Sequence, residues 1–185
     1  MDVIELAFAI YHRQNFMPED IREQANWDIA LPIGYGQTIS QPTTVKWMLE
    51  WLEPEIGNKV LDIGSGSGWT TALLSYLVGS KGRVYAVERI PELLEFGQQN
   101  CLNAGVKNAK FYPAGKEYGL PRYAPYERIL VSATANDLPE SLLKQLNIDG
   151  KLVIPVKNDI LEITKTAKDN YDIITHPGFV FVPLI

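Results

Sequence analysis

Val60-Leu61-Asp62-Ile63-Gly64-Ser65-Gly66-Ser67-Gly68-Trp69 passes from a short apolar run into a glycine-rich turn, and then into the amphipathic stretch Trp69 to Val78. A run of this length bounded by glycines predicts a buried strand, and the stretch after it a helix. Glycine at 64, 66 and 68 lets the backbone turn sharply and lets a ligand approach without meeting a Cβ. The N-terminus of the helix beyond presents N–H groups that have no partner within the helix. Strand, glycine loop and helix together form the repeating unit of a parallel sheet covered on both faces.

Downstream the pattern recurs. Arg83–Glu88 reads as the next strand, and Pro91 to Ala104 as the next helix, with Pro91 at its start and Gly105 just past its end. Further strands are expected at Ala109–Tyr112, Arg128–Ser132 and Lys151–Val156. A helix is expected from Pro139 to Leu146, closed by Asn147-Ile148-Asp149-Gly150. Ile160–Thr166 and Tyr171–Thr175 alternate about Lys168-Asp169-Asn170, the pattern of an antiparallel hairpin, with Phe179–Val182 extending its second arm. With right-handed crossovers, the expected fold is α/β. It is a doubly wound, mostly parallel seven-stranded sheet with an antiparallel C-terminal hairpin and an N-terminal helical cap.

Upstream, residues 1–41 carry no βα repeat. Ile4, Leu6, Ala7, Phe8 and Ile10 suggest a short helix, and Pro18-Glu19-Asp20 a second helix start with acids in its first turn. Leu31 to Pro42, rich in Gly, Pro and Thr, reads as an irregular loop. Trp47 and Trp51, four apart on a predicted helix, read as part of a buried apolar stripe. The expected organisation is one domain, 1–185, with a cap and loop over 1–41 and an α/β core over 42–185.

Composition narrows the function. The chain has 185 residues, 46% of them apolar, which suffices for a sizeable core. Its 17 basic and 22 acidic residues leave a net charge of −5, with no sign of the clustered basic face that nucleic acid requires. Cys101 is alone and His12 and His176 are the only imidazoles, so neither an intramolecular disulfide nor a metal site is expected. Cys101 itself reads as a small half-buried hydrophobe on a helix. No basic-then-apolar leader opens the chain, and its apolar stretches fall short of the ~20 residues that cross a bilayer. A cytoplasmic protein without membrane partners, monomeric by default, is the expectation.

Glu88 lies twenty residues past Gly68 at the end of the second strand. There it is expected to accept hydrogen bonds from a ribose diol. The dinucleotide fingerprint wants a third glycine where this chain has Trp69, so a nicotinamide cofactor takes second place. Gly64-x-Gly66-x-Gly68 preceded by Asp62 instead resembles the S-adenosyl-L-methionine loop of class I methyltransferases. That resemblance implies cofactor contacts at Asp62, Gly64, Ser65, Gly66, Gly68, Glu88 and Arg89.

A second stretch is more specific. Leu31-Pro32-Ile33-Gly34-Tyr35-Gly36-Gln37-Thr38-Ile39-Ser40-Gln41-Pro42 closely resembles the substrate loop of protein-L-isoaspartate O-methyltransferases. The likeness continues through Val60–Trp69, Val87–Leu93, Ala124-Pro125-Tyr126, Leu142–Leu146, Gly150–Val156 and Phe181–Leu184, in order along almost the whole chain. It implies methylation of the α-carboxylate of L-isoaspartyl residues in damaged proteins or peptides. Such a carboxylate has a reference pKa of about 3.5–4 and is ionised at neutral pH, so no strong base is needed. What the reaction needs is alignment. Thr38 and Ser40 offer hydroxyls for that work, and the family's key serine maps to Ser40. Gln37 and Ile39 are expected beside the acceptor, together with Ala133-Thr134-Ala135 after the fourth strand.

The match has gaps. Where the family carries Gly-Asp-Gly, whose aspartate helps hold the adenine, this chain has Ala114-Gly115-Lys116; Gly115 and Lys116 are expected at the same place without the acceptor. Tyr35 stands where the family often has His, and the chain stops at Ile185 where the family commonly continues. Two alternatives follow from these gaps: a non-catalytic cofactor-binding relative, or a carboxyl methyltransferase acting on a different small-molecule or peptide acceptor.

Overall fold

In the computed structural model, which describes residues 2–185, the segment 60–69 folds as its sequence implies. Strand β3 (Lys59–Ile63) ends at the glycine loop, and a helix, α3 (Trp69–Val78), begins directly after it. Before them come α1 (Val3–Ile10), two 3-10 turns (Arg13–Phe16 and Glu19–Gln24), a hairpin of β1 (Leu31–Gly34) and β2 (Gln37–Ile39), and α2 (Pro42–Leu52). After them come β4 (Arg83–Glu88), α4 (Pro91–Asn103), β5 (Ala109–Pro113), β6 (Tyr126–Val131) and α5 (Glu140–Gln145). The chain finishes with β7 (Leu146–Val156), β8 (Asp159–Ala167) and β9 (Asn170–Pro177).

The large sheet has seven strands in the order β5-β4-β3-β6-β7-β8-β9. β5 through β7 pair in parallel, and β8 and β9 close the edge antiparallel. Strand order therefore reverses between β3 and β6. At such a point the carboxyl ends of neighbouring strands open a crevice, because their connections depart to opposite sides.

Alternate residues of each strand enter different cores. Val60, Val84, Leu130 and Val153 pack beneath α1, α2, α3 and α4, whereas Leu61, Ile63, Ile129 and Leu152 pack on the other face beneath α5. Both faces are covered, so the parallel strands are apolar on both sides, as their unbroken apolar runs imply. Removing a fully buried side chain such as Leu73 by truncation to Ala costs about 2–5 kcal/mol at sites of this kind.

Five expectations change. The stretch expected as a loop, Leu31 to Pro42, holds the β1–β2 hairpin. Its alternation is short, with Leu31, Ile33 and Ile39 buried, and the reversal runs through Gly34, Tyr35 and Gly36, all at positive φ. Three such residues in a row are hard to infer when the central one is Tyr. The second helix start forms only a 3-10 turn. Asn147–Gly150 do not close a helix but belong to β7, which begins at Leu146 and carries a register shift against β6 and a left-handed Asp149 (φ 62).

Phe179–Val182 do not extend the second hairpin arm either. Gly178 turns the chain at φ 94, and the tail runs back across the sheet to form a bridge between Pro183 and Thr134. Trp47 and Trp51 also sit outside the buried stripe of α2, which is made of Thr44, Val45, Met48, Leu49 and Leu52. Trp47 is 43% exposed, and Trp51 stacks on His176 from β9.

Candidate active site

A cavity of about 220 Å³ opens at the carboxyl ends of β3, β4 and β6, at the point where the strand order reverses. Its floor is the glycine loop. The loop keeps its shape through backbone bonds to the end of β4: Gly64 and Ser65 N–H donate to the Val87 carbonyl at 2.9 and 3.1 Å. From behind, α4 supports it. Asn100 Nδ2 donates to the Ser67 carbonyl at 3.0 Å, and a Cβ on Gly97 would come within 2.6 Å of the Gly66 carbonyl oxygen. Cys101 is buried and gives its Sγ to the Gly68 carbonyl at 3.2 Å, and burial lifts its thiol to about 12, so it stays protonated.

Glu88 sits on the cavity wall, almost wholly buried. Its Oε2 accepts from Gly66 N–H at 2.9 Å, and its Oε1 accepts from Arg89 and Ile90 N–H at 2.7 and 2.9 Å. A carboxylate has about four acceptor directions, and backbone takes three of them. The side chain is thus fixed in place by the loop it serves, with about one direction left for a ligand hydroxyl.

Asp62 lies elsewhere. It is fully buried behind the loop and is not part of the cavity wall; its Oδ2 accepts from Thr70 and Thr71 hydroxyls at 3.0 and 2.6 Å. Burial raises its carboxyl to about 6, against the two hydroxyl bonds, which act to lower it. Its work is to tie the first turn of α3 to β3. Gly68 is likewise turned from the cavity, toward α4, where a Cβ would meet the Gly97 carbonyl at 2.6 Å.

The residues around the loop suit an adenosine-containing ligand. Gly64 and Gly66 leave open wall where side chains would intrude: a Cβ on Gly66 would stand 3.3 Å from Ile33 Cδ1. Ser65 contributes a buried hydroxyl on the wall that has no partner among the described residues. An unpaired buried hydroxyl is costly, and a polar ligand edge would satisfy it. Arg89 continues this wall. Beyond the end of β5, Ala114 N–H is held by the Glu88 carbonyl at 3.0 Å, and Gly115, Lys116 and Glu117 form the rim. The place of a Cβ on Gly115 is empty space.

The opposite wall is the hairpin. Gln37, Thr38, Ile39 and Ser40 all line the cavity, with Ile39 buried and no side-chain hydrogen bond made by the Thr38 or Ser40 hydroxyl among the described residues. Arg13 holds this wall from inside. Arg13 is 5% exposed, and its guanidinium donates to the carbonyls of Ala25, Trp27, Ile29, Ile39 and Ser40. Desolvation lowers it to about 10, so it remains a cation at neutral pH.

Ser132 and Ala133 close the third side, together with Val182 to Ile185 of the tail. Thr134 and Ala135 do not reach the cavity. Thr134 exchanges backbone hydrogen bonds with Val182 and Leu184 at 2.8 Å each, and Ala135 is buried in the second core. Sequence reading overlooked Arg13, Gly97 and Asn100. The signals were faint: an Arg before a 3-10 turn and a Gly inside a helix, the latter explained only by close backbone approach.

Known proteins of the same kind can be placed against this geometry. Residues 1–185 match the family model described as protein-L-isoaspartate(D-aspartate) O-methyltransferase. The chain is 46% identical over 178 residues to the protein-L-isoaspartate O-methyltransferase of Methanopyrus kandleri, covering 94% of this chain and 79% of that one. It is 43% identical over 175 residues to the enzyme of that name from Methanocella arvoryzae, covering 94% and 93%. A solved Plasmodium falciparum structure, described as a candidate protein-L-isoaspartate O-methyltransferase in complex with S-adenosyl-L-homocysteine, superposes with a TM-score of 0.86 at 25% identity, covering 100% and 91%. The chain belongs to the protein-L-isoaspartate(D-aspartate) O-methyltransferase family.

Proposed function

We propose that this protein methylates the α-carboxylate of L-isoaspartyl residues in damaged proteins or peptides, with S-adenosyl-L-methionine as donor. The observation that carries the reading is the meeting, in one cavity, of a glycine loop pinned to Glu88 and a hairpin presenting the free hydroxyls of Thr38 and Ser40.

The cofactor, when bound, supplies a methyl group activated by a sulfonium sulfur that leaves as a neutral thioether. Glu88 and Ser65 would hold its ribose and polar edges, and Gly64 and Gly66 let it lie against the backbone. Arg89, Gly115, Lys116 and Glu117 would border its base. Ser40 and Thr38 hold the acceptor carboxylate by donating to the oxygen that does not react. The other oxygen is left without a donor, so that its lone pair would be free to become the new bond to the methyl carbon. A hydroxyl donor orients the carboxylate and leaves it an anion, whereas a proton would take up the lone pair that reacts. Among the described residues neither His12 nor His176 lines the cavity, and none is needed, because an acid of pKa about 3.5–4 is already deprotonated. The rate gain is one of proximity and orientation, so the rigidity of the hairpin matters as much as its hydroxyls.

Residues 1–185 act as one unit in this reading, the N-terminal 41 closing over the α/β core. Among the described residues no helix is long and apolar enough to cross a membrane, and a cytoplasmic, monomeric enzyme is the working assignment.

The test uses two peptides that differ only in whether one residue is isoaspartyl or aspartyl, with a labelled methyl donor. Base-labile methyl ester on the isoaspartyl peptide alone is the expected result. Equal labelling of both, or none despite bound S-adenosylhomocysteine, would overturn the assignment.

A further inference from the structure

A second hollow of about 400 Å³ lies beside the cavity and shares Thr38, Ser40, Ser132 and Val182 with it. The hollow is therefore continuous with the place where the acceptor carboxylate must sit. Its outer wall is aromatic, made by Trp47 of α2 with Phe179 and Phe181 of the tail. Trp47 and Phe179 meet edge to face at 6.0 Å, and Phe179 meets Trp51 in the same way at 6.0 Å. Trp51 is in turn fixed against the His176 ring, 3.7 Å away and tilted by 8°. His176 contacts Glu162 Oε2 at 3.2 Å, and Lys151 holds the other oxygen at 3.1 Å. The wall is thus anchored in the sheet edge.

The anchoring leaves Trp47 43% exposed and Val180, at the rim, 90% exposed. A large apolar surface held rigid and open beside a binding site is a recognition surface, and Trp is the side chain most enriched at such points.

An isoaspartyl residue is part of a chain, so a neighbouring residue must leave the cavity on the side away from the cofactor. We infer that the groove between the hairpin and the Trp47–Phe179 wall takes the side chain of a residue adjacent to the isoaspartyl, and that it prefers an aromatic or large apolar one. This rests on the proposed acceptor; what it adds is a specificity subsite, with Trp47 and Phe179 as its determinants. Neither residue lines the cavity itself.

Three peptides test it: one with the isoaspartyl between glycines, one with Phe in place of the preceding Gly, and one with Phe in place of the following Gly. Peptide binding to the enzyme loaded with S-adenosylhomocysteine is followed by tryptophan fluorescence, and methylation is measured separately. One Phe peptide is expected to bind about tenfold tighter than the glycine peptide, the return for covering one aromatic side chain. Its KM falls to match and kcat stays unchanged. Trp47→Ala and Phe179→Ala should bring the peptides together while leaving S-adenosylhomocysteine affinity as in the parent. Equal binding of all three peptides overturns the inference, as does a preference that survives both substitutions. So does a dimer that Trp47→Ala dissociates with no change in peptide binding, since a second copy would then be the occupant. Absence of methylation of the glycine peptide speaks against the acceptor assignment instead, because binding reads the groove without it.

Discussion

Arg13 Nη2 donates to the Ser40 carbonyl at 3.0 Å, and through the same nitrogen to Ile39 at 3.1 Å and Ile29 at 2.7 Å. A buried cation whose hydrogen bonds all go to carbonyls is a clamp: it draws the backbone of the hairpin inward and fixes the backbone of Ser40 at the cavity wall. Substitution to Met leaves carbonyls unpaired in the core and should cost about 3 kcal/mol or more. Arg13→Lys keeps the charge with fewer donors, and should raise the KM for an isoaspartyl peptide about tenfold while S-adenosylhomocysteine affinity moves by less than about threefold. A parallel loss of both affinities would mean that Arg13 supports the whole fold and not the acceptor wall.

Ser40→Ala removes one donor to the acceptor carboxylate. A hydrogen bond to a charged group is worth about 1.5–3 kcal/mol, so kcat/KM should fall by roughly tenfold to hundredfold. Calorimetry with S-adenosylhomocysteine should show an unchanged affinity, because Ser40 belongs to the hairpin and not to the glycine loop.

Gly115→Asp should tighten the cofactor site. A Cβ there meets nothing within 4 Å, and Gly115 does not have the positive φ that only glycine tolerates easily. A carboxylate at the rim adds one charge-assisted acceptor, worth about tenfold to hundredfold in S-adenosylhomocysteine affinity. An unchanged dissociation constant would show that the rim does not face the adenine.

Asp62 gives a pH signature. Its folded-state carboxyl, raised to about 6 from 3.8, holds its proton where the unfolded chain has lost it. Between about pH 4 and pH 6 the native state thus binds more protons, and the contribution of this group to stability falls as pH rises. Asp62→Asn cannot titrate and can still accept from Thr71. Its stability relative to the parent should therefore improve by about 2 kcal/mol on going from pH 4 to pH 7. Urea melts at the two pH values give the difference; a gap independent of pH would show that Asp62 is charged in both states.

The core of the fold was legible because it rests on local rules: each parallel strand is a short apolar run, and Pro91 and Gly105 mark the limits of a helix. The hairpin was not, since its turn needs three consecutive positive φ values at Gly34-Tyr35-Gly36 and its strands are too short to show a period. The tail deceived for a related reason. Phe179-Val180-Phe181-Val182 is a run of aromatic and β-branched residues like those of a strand, yet Gly178 redirects it and Thr134 captures it. At the site, Gly64, Gly66 and Glu88 follow from strand and loop register alone. Thr38 and Ser40 had no local signal, and only the family resemblance singled them out. Arg13, whose partners lie 12 to 27 residues away, required the tertiary structure.

The central claim is that the hairpin wall selects an isoaspartyl carboxylate for methylation. The most direct measurement is labelled methyl transfer from S-adenosyl-L-methionine to a matched pair of isoaspartyl and aspartyl peptides at neutral pH, by the parent protein and by Ser40→Ala. The expected result is ester on the isoaspartyl peptide only, reduced by roughly tenfold or more in the variant. Equal labelling of the two peptides, or an isoaspartyl rate that Ser40→Ala leaves unchanged, would contradict it.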